Sequence, residues 1–314
     1  MLYIGIDVGG TNLKAGLVDE EGKILAAERM PLGEFQGERA LANSLADLAE
    51  AVLQSSGVSL KEVKHVGIGI PGAVAGGDVL YTCNIPMRNV PLAKLFQRRL
   101  DVPVLLENDA NCAAVGEWIC GAGRGAKDFI IITLGTGVGG GLILNSKLYA
   151  GSGIVGEVGH MVIEKDGAPC NCGRRGCWEA YASATGLIRM TKETMNKYPN
   201  SLLWKVTLEN GGVDGRAAFM AAERGDAPAQ GLCKKYVEYL GAGVTNLVNI
   251  LQPEILAVGG GVAAAPETLL MEPLRELVAR ECYPRHAGKL PKIIPAELGN
   301  DAGIIGAALL HRAV

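Results

Sequence analysis

The sequence predicts an α/β protein of two domains with mixed sheets, and three observations predict it. The chain opens on YIGIDVGGTNLKAGLVDEEGKILAAER, which alternates between turn signals as strands do. A second segment of the same design, IIITLGTGVGGGLILNSK, starts at Ile130 where the first starts at Ile4. That faint internal duplication puts one copy in each domain. The second half is more helical, and 314 residues leave room for two domains of ordinary size.

The elements follow in order. The first segment reads as three antiparallel strands, with a glycine turn at Gly9-Gly10 and a polar turn at Asp19 to Gly22. A helix follows over Glu38 to Ser55, its apolar face carrying Leu41, Leu45, Leu48 and Val52. VKHVGIGIPG is a short buried strand ending in a Pro-Gly turn. VPVLLENDANCAAVGEW is a strand running into a helix, with Asn108 and Asp109 at the junction. FIIITLGTGVGGGLILNSKLYAG is a second glycine-turn hairpin. A helix starts after Asp226-Ala227-Pro228 and runs toward Leu251. PEILAVGGGVA is a strand ending in three glycines, a helix runs from about Pro266 to Glu281, and a last helix follows an Asn300-Asp301 cap. No disordered linker is visible, so crossing helices are expected to join the domains.

Composition excludes several classes. Hydrophobic residues make up 48% and charged residues 20%, as in soluble globular chains. Net charge is −3 and no basic run exceeds a pair, which argues against nucleic acid as a partner. Met1-Leu2-Tyr3-Ile4 reads straight into a strand with no signal-peptide pattern. The longest uncharged apolar stretch, Phe129 to Leu144, is broken by glycines and is a poor membrane span. A cytoplasmic protein with no membrane partner is expected. Of eight cysteines, Cys83, Cys112, Cys120, Cys233 and Cys282 sit among apolar neighbours and read as buried free thiols.

Asp7 leads DVGGTNLKAG. A carboxylate at the end of a buried strand suits a magnesium-bound polyphosphate, with Gly9 and Gly10 allowing close backbone approach, Thr11 donating and Lys14 adding charge. The bland reading is a type I′ turn with a solvated Asp, and the matching LGTGVGGG turn weighs against it. Backbone N–H nests at two such turns suit a phosphate chain lying between them. No Walker A or Rossmann pattern is present. Asn108-Asp109 can be a helix N-cap, which accounts for one of the two residues. The second, after the apolar run Val102 to Leu106, points to a ligand site at the strand's carboxyl end, where a carboxylate can take a hydroxyl proton.

Cys170, Cys172 and Cys177 stand in C-x-C-x-x-x-x-C spacing, with Gly173 and Gly176 allowing tight turns and His160 ten residues upstream of the first. Free cysteines rarely crowd on a polar loop, and a Cys₃His set favours zinc. Four protein ligands leave no place for a zinc-bound water, so the ion is structural. Glu157 and Glu179 flank the loop, as surface charges or as acceptors for hydroxyl groups.

Taken together, DVGGTNLKAGLVD, GIGIPGAV, LENDANCAAVGE, TLGTGVGGGLIL, GEVGH, CNCGRRGCWE and GNDAGIIGAALL resemble the ROK family of sugar kinases and repressors over essentially the whole chain. Within it the chain looks most like bacterial ATP-dependent glucokinases. The resemblance implies a two-domain actin-like ATPase (ribonuclease H-like) fold around a deep cleft. Residues 1–118 with 301–314 would form a small domain, and 119–300 a large one carrying the zinc loop. It implies ATP-dependent phosphorylation of a hexose at the 6-hydroxyl, glucose first and N-acetylmannosamine or another hexose as the alternative. Asp109 would be the catalytic base. Gly72, Asn84, Asn108, Glu157, His160 and Glu179 would contact the sugar. Asp7, Gly9, Gly10, Thr11 and Lys14 would face the phosphates and magnesium, with Gly135, Thr136 and Gly137 as the second phosphate turn. Gly259, Gly260 and Gly261 would lie by the adenosine. His160 would serve both zinc and sugar. Two departures stand out. Met87-Arg88 follows CNIP where many glucokinase-like relatives carry Gly-Trp, and Ala73 stands where some N-acetylmannosamine kinases have arginine. A sugar-binding regulator is the non-enzyme alternative; its DNA-binding domain would precede Asp7, where only six residues stand. A homodimer is the expected assembly, and a tetramer the next.

Overall fold

The structure is a computed structural model that describes residues 1–82 and 85–313. The opening strands β1 (Leu2–Val8), β2 (Asn12–Asp19) and β3 (Ile24–Pro31) form the expected antiparallel meander. Helix α1 (Glu38–Ser56) buries Leu41, Leu45, Leu48 and Val52, and left-handed Gly57 stops it. Then come β4 (Val63–Ile70), β5 (Ala73–Ala75), β6 (Asp78–Tyr81), β7 (Arg88–Val90), α2 (Leu92–Gln97), β8 (Val104–Asn108) and α3 (Asp109–Cys120). The next strands are β9 (Phe129–Leu134), β10 (Val138–Leu144) and β11 (Lys147–Leu148). Helices α4 (Glu179–Ala182), α5 (Ala184–Lys197), α6 (Leu203–Glu209), α7 (Ala217–Glu223) and α8 (Ala227–Leu251) follow. The chain closes with β12 (Ile255–Gly259), α9 (Met271–Glu281), β13 (Lys292–Pro295) and α10 (Ala302–Ala308).

Two compact units result: Met1–Ile131 with Gly141–Gly156 and Ala296–Val314, and Ile132–Gly140 with Glu157–Pro295. The chain passes from one to the other inside β9, inside β10, in the loop after Gly156 and after β13. These passages are strands and loops, not the crossing helices expected from the sequence.

In the first unit the sheet order is β3-β2-β1-β4-β8, with β1, β4 and β8 parallel. Period-2 alternation divides its two faces. Ile4, Ile6, Val8, Val66, Ile68 and Ile70 join α1 and α2 in one apolar core. The opposite face presents Gly5, Gly67 and Gly69, where α10 and α3 lie too close for any Cβ without a shift. That glycine face lets both helices press on the sheet beside the ends of β1 and β8.

The other five-stranded sheet has the order β11-β10-β9-β12-β13. Asp226 caps the long α8 by accepting from Ala229 N–H, as the Asp-Ala-Pro signal implied. Fully buried Trp178 packs its ring on Gly243 of α8 and donates to the Tyr239 carbonyl at 3.0 Å, which anchors the cysteine-rich loop.

Two helices are shorter than expected. The stretch from Pro266 is a 3₁₀ turn at Glu267–Leu269, and α9 starts only at Met271. Pro273 explains this, since in a longer helix its ring would strike the Leu269 carbonyl and its missing N–H would leave that carbonyl unpaired. The last helix is α10 alone, flanked by 3₁₀ turns at Gly299–Asp301 and Leu310–Arg312, and the Asp301 side chain makes no cap bond. Cys112, Cys233 and Cys282 are buried as expected, but Cys120 is only half-buried at the end of α3. Cys83 lies outside the described residues. No helix among the described residues is long and apolar enough to cross a membrane.

Candidate active site

Asp7 is the penultimate residue of β1 and lies directly opposite Lys14 of β2, with Nζ–Oδ2 at 3.9 Å. Gly303 of α10 stands behind it, 3.0 Å from the Asp7 carboxyl carbon to where a Cβ would be. Burial pushes the Asp7 carboxyl above its ordinary value, and Lys14 only partly offsets this. A carboxylate held so is short of positive charge, which fits a site for a hard cation. Gly9 donates to the Asn12 carbonyl at 3.0 Å, and neither Gly9 nor Gly10 has a left-handed backbone. The turn is therefore not type I′, which requires two positive φ values. Nothing lies within 4 Å of a Cβ built on Gly10.

The Asn108–Asp109 corner joins β8 to α3. Asn108 is the N-cap: its Oδ1 accepts from Ala110 N–H at 2.9 Å and Asn111 N–H at 3.2 Å. Its Nδ2 donates to the Gly72 carbonyl at 3.0 Å. Gly72 itself is left-handed, φ 125°, and its α-carbon faces Tyr81 and Thr82 with no space for a Cβ. Asp109 is the first helical residue, and its Oδ1 accepts from Ala110 N–H at 2.9 Å. Register places Asp7, Gly69 and Glu107 in one row across β1, β4 and β8, and Ile70 beside Asn108. The Cys112 thiol lies over Gly69 and is pushed well up by burial first, then by Glu107, Asp109 and Asp7. It stays a neutral thiol among carboxylates. Met87, one of the two departures, turns into the apolar core, while Arg88 is exposed. Asn84 lies outside the described residues.

In the second unit Gly135, Thr136 and Gly137 close the β9–β10 turn, with Gly135 N–H donating to the Gly137 carbonyl at 3.0 Å. The start of α5 ties the turn down: Ala184 N–H donates to the Gly135 carbonyl at 2.8 Å, and Thr185 Oγ1 to the Thr136 carbonyl at 2.8 Å. Gly260, φ 85°, lies against the Leu134 backbone, so the Gly259–Gly261 motif stands beside this turn. Glu179 accepts from Val138 N–H at 3.1 Å through Oε2, while Oε1 lies 3.8 Å from Cys170 Sγ. One carboxylate thus links the glycine turn to the cysteine loop, a role its sequence position did not reveal.

His160, Cys170, Cys172 and Cys177 converge, with one ligand atom from each within 4.8 Å of the others. Antiparallel bridges Val162–Cys177 and Pro169–Arg175 shape the loop. Gly173 (φ 87°) and Gly176 (φ 77°) make the left-handed turns that their spacing predicted. The Cys172 and Cys177 sulfurs are 3.6 Å apart, and Cys170 Sγ is 3.7 Å from His160 Nδ1. Tetrahedral zinc, with Zn–S near 2.3 Å and Zn–N near 2.05 Å, requires separations of about 3.8 and 3.6 Å. The donor set fits that ion. His160 Nε2 is turned the other way, 3.9 Å from Glu157 Oε2. The ring therefore has one nitrogen for a metal and one for another ligand.

Sequence reasoning missed three residues. Buried Glu107 accepts from Asn108 N–H at 2.8 Å and from Asn111 Nδ2 at 3.0 Å. Fully buried Glu117 accepts from the N–H groups of Ala122, Glu297 and Leu298. Gly303 backs Asp7. The signal for Glu107 was present, a charged residue closing the apolar run Val102 to Leu106.

A model of the ROK family matches residues 3–314. The glucokinase of Halalkalibacterium halodurans is 38% identical over 312 residues, 98% of this chain and 94% of that protein. The glucokinase of Thermotoga maritima is 40% identical over 309 residues, 97% and 95%. The crystal structure of a ROK family glucokinase from Streptomyces griseus, in complex with glucose and AMPPNP, has a TM-score of 0.84 at 36% identity, over 99% of both chains. With the α/β two-domain kinase fold and a family match over nearly its full length, the chain belongs to the ROK family.

Proposed function

We propose that this chain is an ATP-dependent glucokinase, transferring the γ-phosphoryl group of ATP to the 6-hydroxyl of glucose. The observation that carries the transfer chemistry is the β8–α3 corner, where Asn108 is fixed as cap and Asp109 opens the helix with its carboxylate anchored through Oδ1 to Ala110 N–H. Glucose rests on the near-full-length likeness to glucokinases and on the neighbour solved with glucose and AMPPNP.

Asp109 accepts the proton of the sugar's 6-hydroxyl as its oxygen attacks the γ-phosphorus in line; the bond to the leaving ADP oxygen breaks. Asn108, through its remaining amide hydrogen, with Gly72, Asn84, Glu157, His160 and Glu179, holds the sugar. Gly9, Gly10, Thr11 and Lys14 on one turn, and Gly135, Thr136 and Gly137 on the other, cradle phosphate through backbone and side-chain donors. Gly259, Gly260 and Gly261 allow the adenosine to approach. Magnesium, which one carboxylate such as Asp7 and the phosphates can hold, would offset charge on the transferring group. Zinc on His160, Cys170, Cys172 and Cys177 is structural, fixing the loop that carries Glu157 and Glu179. A homodimer in the cytoplasm completes the reading.

Sugar-dependent ADP release with magnesium-ATP across glucose, mannose, fructose, N-acetylglucosamine and N-acetylmannosamine tests it. Glucose is expected to dominate in kcat/KM. Another dominant sugar changes the substrate, and no turnover by zinc-loaded protein replaces the enzyme with a sugar-binding regulator. Asp109→Asn is expected to lower kcat by about 10² to 10⁴ while glucose still binds. Turnover within about tenfold of the unmodified protein would remove Asp109 as the base. Metal analysis is expected to find about one zinc per chain, and a zinc-free protein that is folded and fully active would overturn the structural ion.

A further inference from the structure

We propose that Glu107 is a positioning residue for this transfer, aiming Asp109 by fixing the residue before it. The inference rests on the kinase reading above. Glu107 is 9% exposed, deep for a carboxylate, and its Oε1 accepts from both Asn108 N–H (2.8 Å) and Asn111 Nδ2 (3.0 Å). With these bonds every polar group of Asn108 but its carbonyl and one amide hydrogen is tied: the backbone N–H to Glu107, Oδ1 to two helix N–H groups, Nδ2 to Gly72. Asp109 follows directly in the chain and its Oδ1 accepts from Ala110 N–H at 2.9 Å, so the fixed corner sets the position from which its carboxylate projects.

Asn111 supplies the second observation. It is 3% exposed, and its Oδ1 is buried with no hydrogen-bond partner. An ionised carboxylate only accepts, so Asn111 must turn its NH₂ toward Glu107, which strands the oxygen. An apolar pair at 107 and 111 would avoid that cost entirely. The corner keeps a buried charge and an orphaned oxygen together, and what they accomplish is the fixed geometry of Asn108. A displacement of about 1 Å of a catalytic group costs on the order of 10² in rate.

Two near-isosteric variants separate reach from charge. Glu107→Gln keeps an acceptor oxygen at the same reach and loses the charge; Glu107→Asp keeps the charge and draws the oxygen back by about one C–C bond length. Expected for Glu107→Asp is a kcat about thirtyfold lower, with KM for ATP and Tm near those of the unmodified protein. Amide hydrogen exchange at Asn108 and Ala110 should also be faster. Glu107→Gln is expected to keep at least about a third of kcat and the original exchange rates. Glu107→Asp with kcat within threefold of the unmodified protein, or Glu107→Gln no better than Glu107→Asp, overturns the inference. If the unmodified chain turns over no sugar, the kinase reading fails by itself. The exchange rates at Asn108 then decide alone whether Glu107 holds the corner.

Discussion

Single glycines carry much of the evidence for nucleotide binding. Gly10, Gly135, Gly231 and Gly261 have neither a left-handed backbone nor any neighbour within 4 Å of a built Cβ. Glycine is less stable than alanine by roughly 0.5–1 kcal/mol in regular structure, so the folded chain gains nothing from it at such places. Three of the four lie in the two proposed phosphate turns and the adenosine motif, where a ligand touching backbone would use the space; Gly231, on the exposed face of α8, has no such account. Gly10→Ala is expected to leave stability unchanged or raise it by up to about 1 kcal/mol, and to raise KM for ATP at least about tenfold. An unchanged KM for ATP would remove the first turn from the phosphate site. Gly72→Ala is the contrast. Its φ of 125° and the Tyr81 carbonyl beside it admit no Cβ, so urea denaturation is expected to show a loss of more than about 1 kcal/mol.

At the scale of elements, the crossing of α3 over α10 sets where Asp109 stands. Gly116 of α3 and Gly306 of α10 bring the helices into backbone contact: a Cβ on Gly306 would run into the Cys112 carbonyl, and one on Gly116 into that of Ala302. Gly306→Ala is therefore expected to destabilise by about 2 kcal/mol or more, seen as a lower urea midpoint. Because α3 begins at Asp109, kcat should fall more than KM for ATP rises. Equal stability in the variant would mean the helices part without cost. The elements themselves were legible because their signals are local: alternation in β1 to β3, the i, i+4, i+7 face of α1, the Asp-Ala-Pro start of α8, and the cysteine spacing. The late start of α9 was legible in principle, since Pro273 forbids the longer helix, but only once the helix start is fixed by packing. What could not be read was anything depending on two distant segments: Gly303 behind Asp7, Glu117 on the N–H groups of Glu297 and Leu298, and Glu179 on the glycine turn. The motif-based division at residue 118 likewise follows sequence landmarks, whereas the compact units take residues 119–131, 141–156 and 296–300 into the first by contact.

Over the whole chain, the first unit is closed by its own ends. Tyr3 of β1, His65 of β4 and His311 after α10 cluster with ring centroids 4.6 to 4.9 Å apart, the two imidazoles edge to face, and His65 Nε2 lies 2.9 Å from the Ala308 carbonyl. That contact joins β4 to the end of α10, so the protonation of this cluster bears on the stability of the unit. Burial holds both imidazoles below their ordinary value; for His65 the neighbouring His311 adds to this, and for His311 the Arg312 charge does. A base with a lowered folded pKa is protonated sooner in the unfolded chain, so stability falls as pH drops through about 6.5 and levels off below the folded values. Asp7 acts in the opposite sense: its raised carboxyl means the folded state takes a proton first, which adds stability as pH falls into the acid range. The two effects separate by pH, because imidazole titrates above carboxylate. Urea midpoints are expected to decline between about pH 7.5 and 5.5 in the unmodified protein. The decline should be shallower in a His65→Gln, His311→Gln double variant, while Asp7→Asn should leave this window unchanged and flatten the response only at lower pH. A double variant that declines as steeply as the unmodified protein would place the pH dependence outside the Tyr3–His65–His311 cluster.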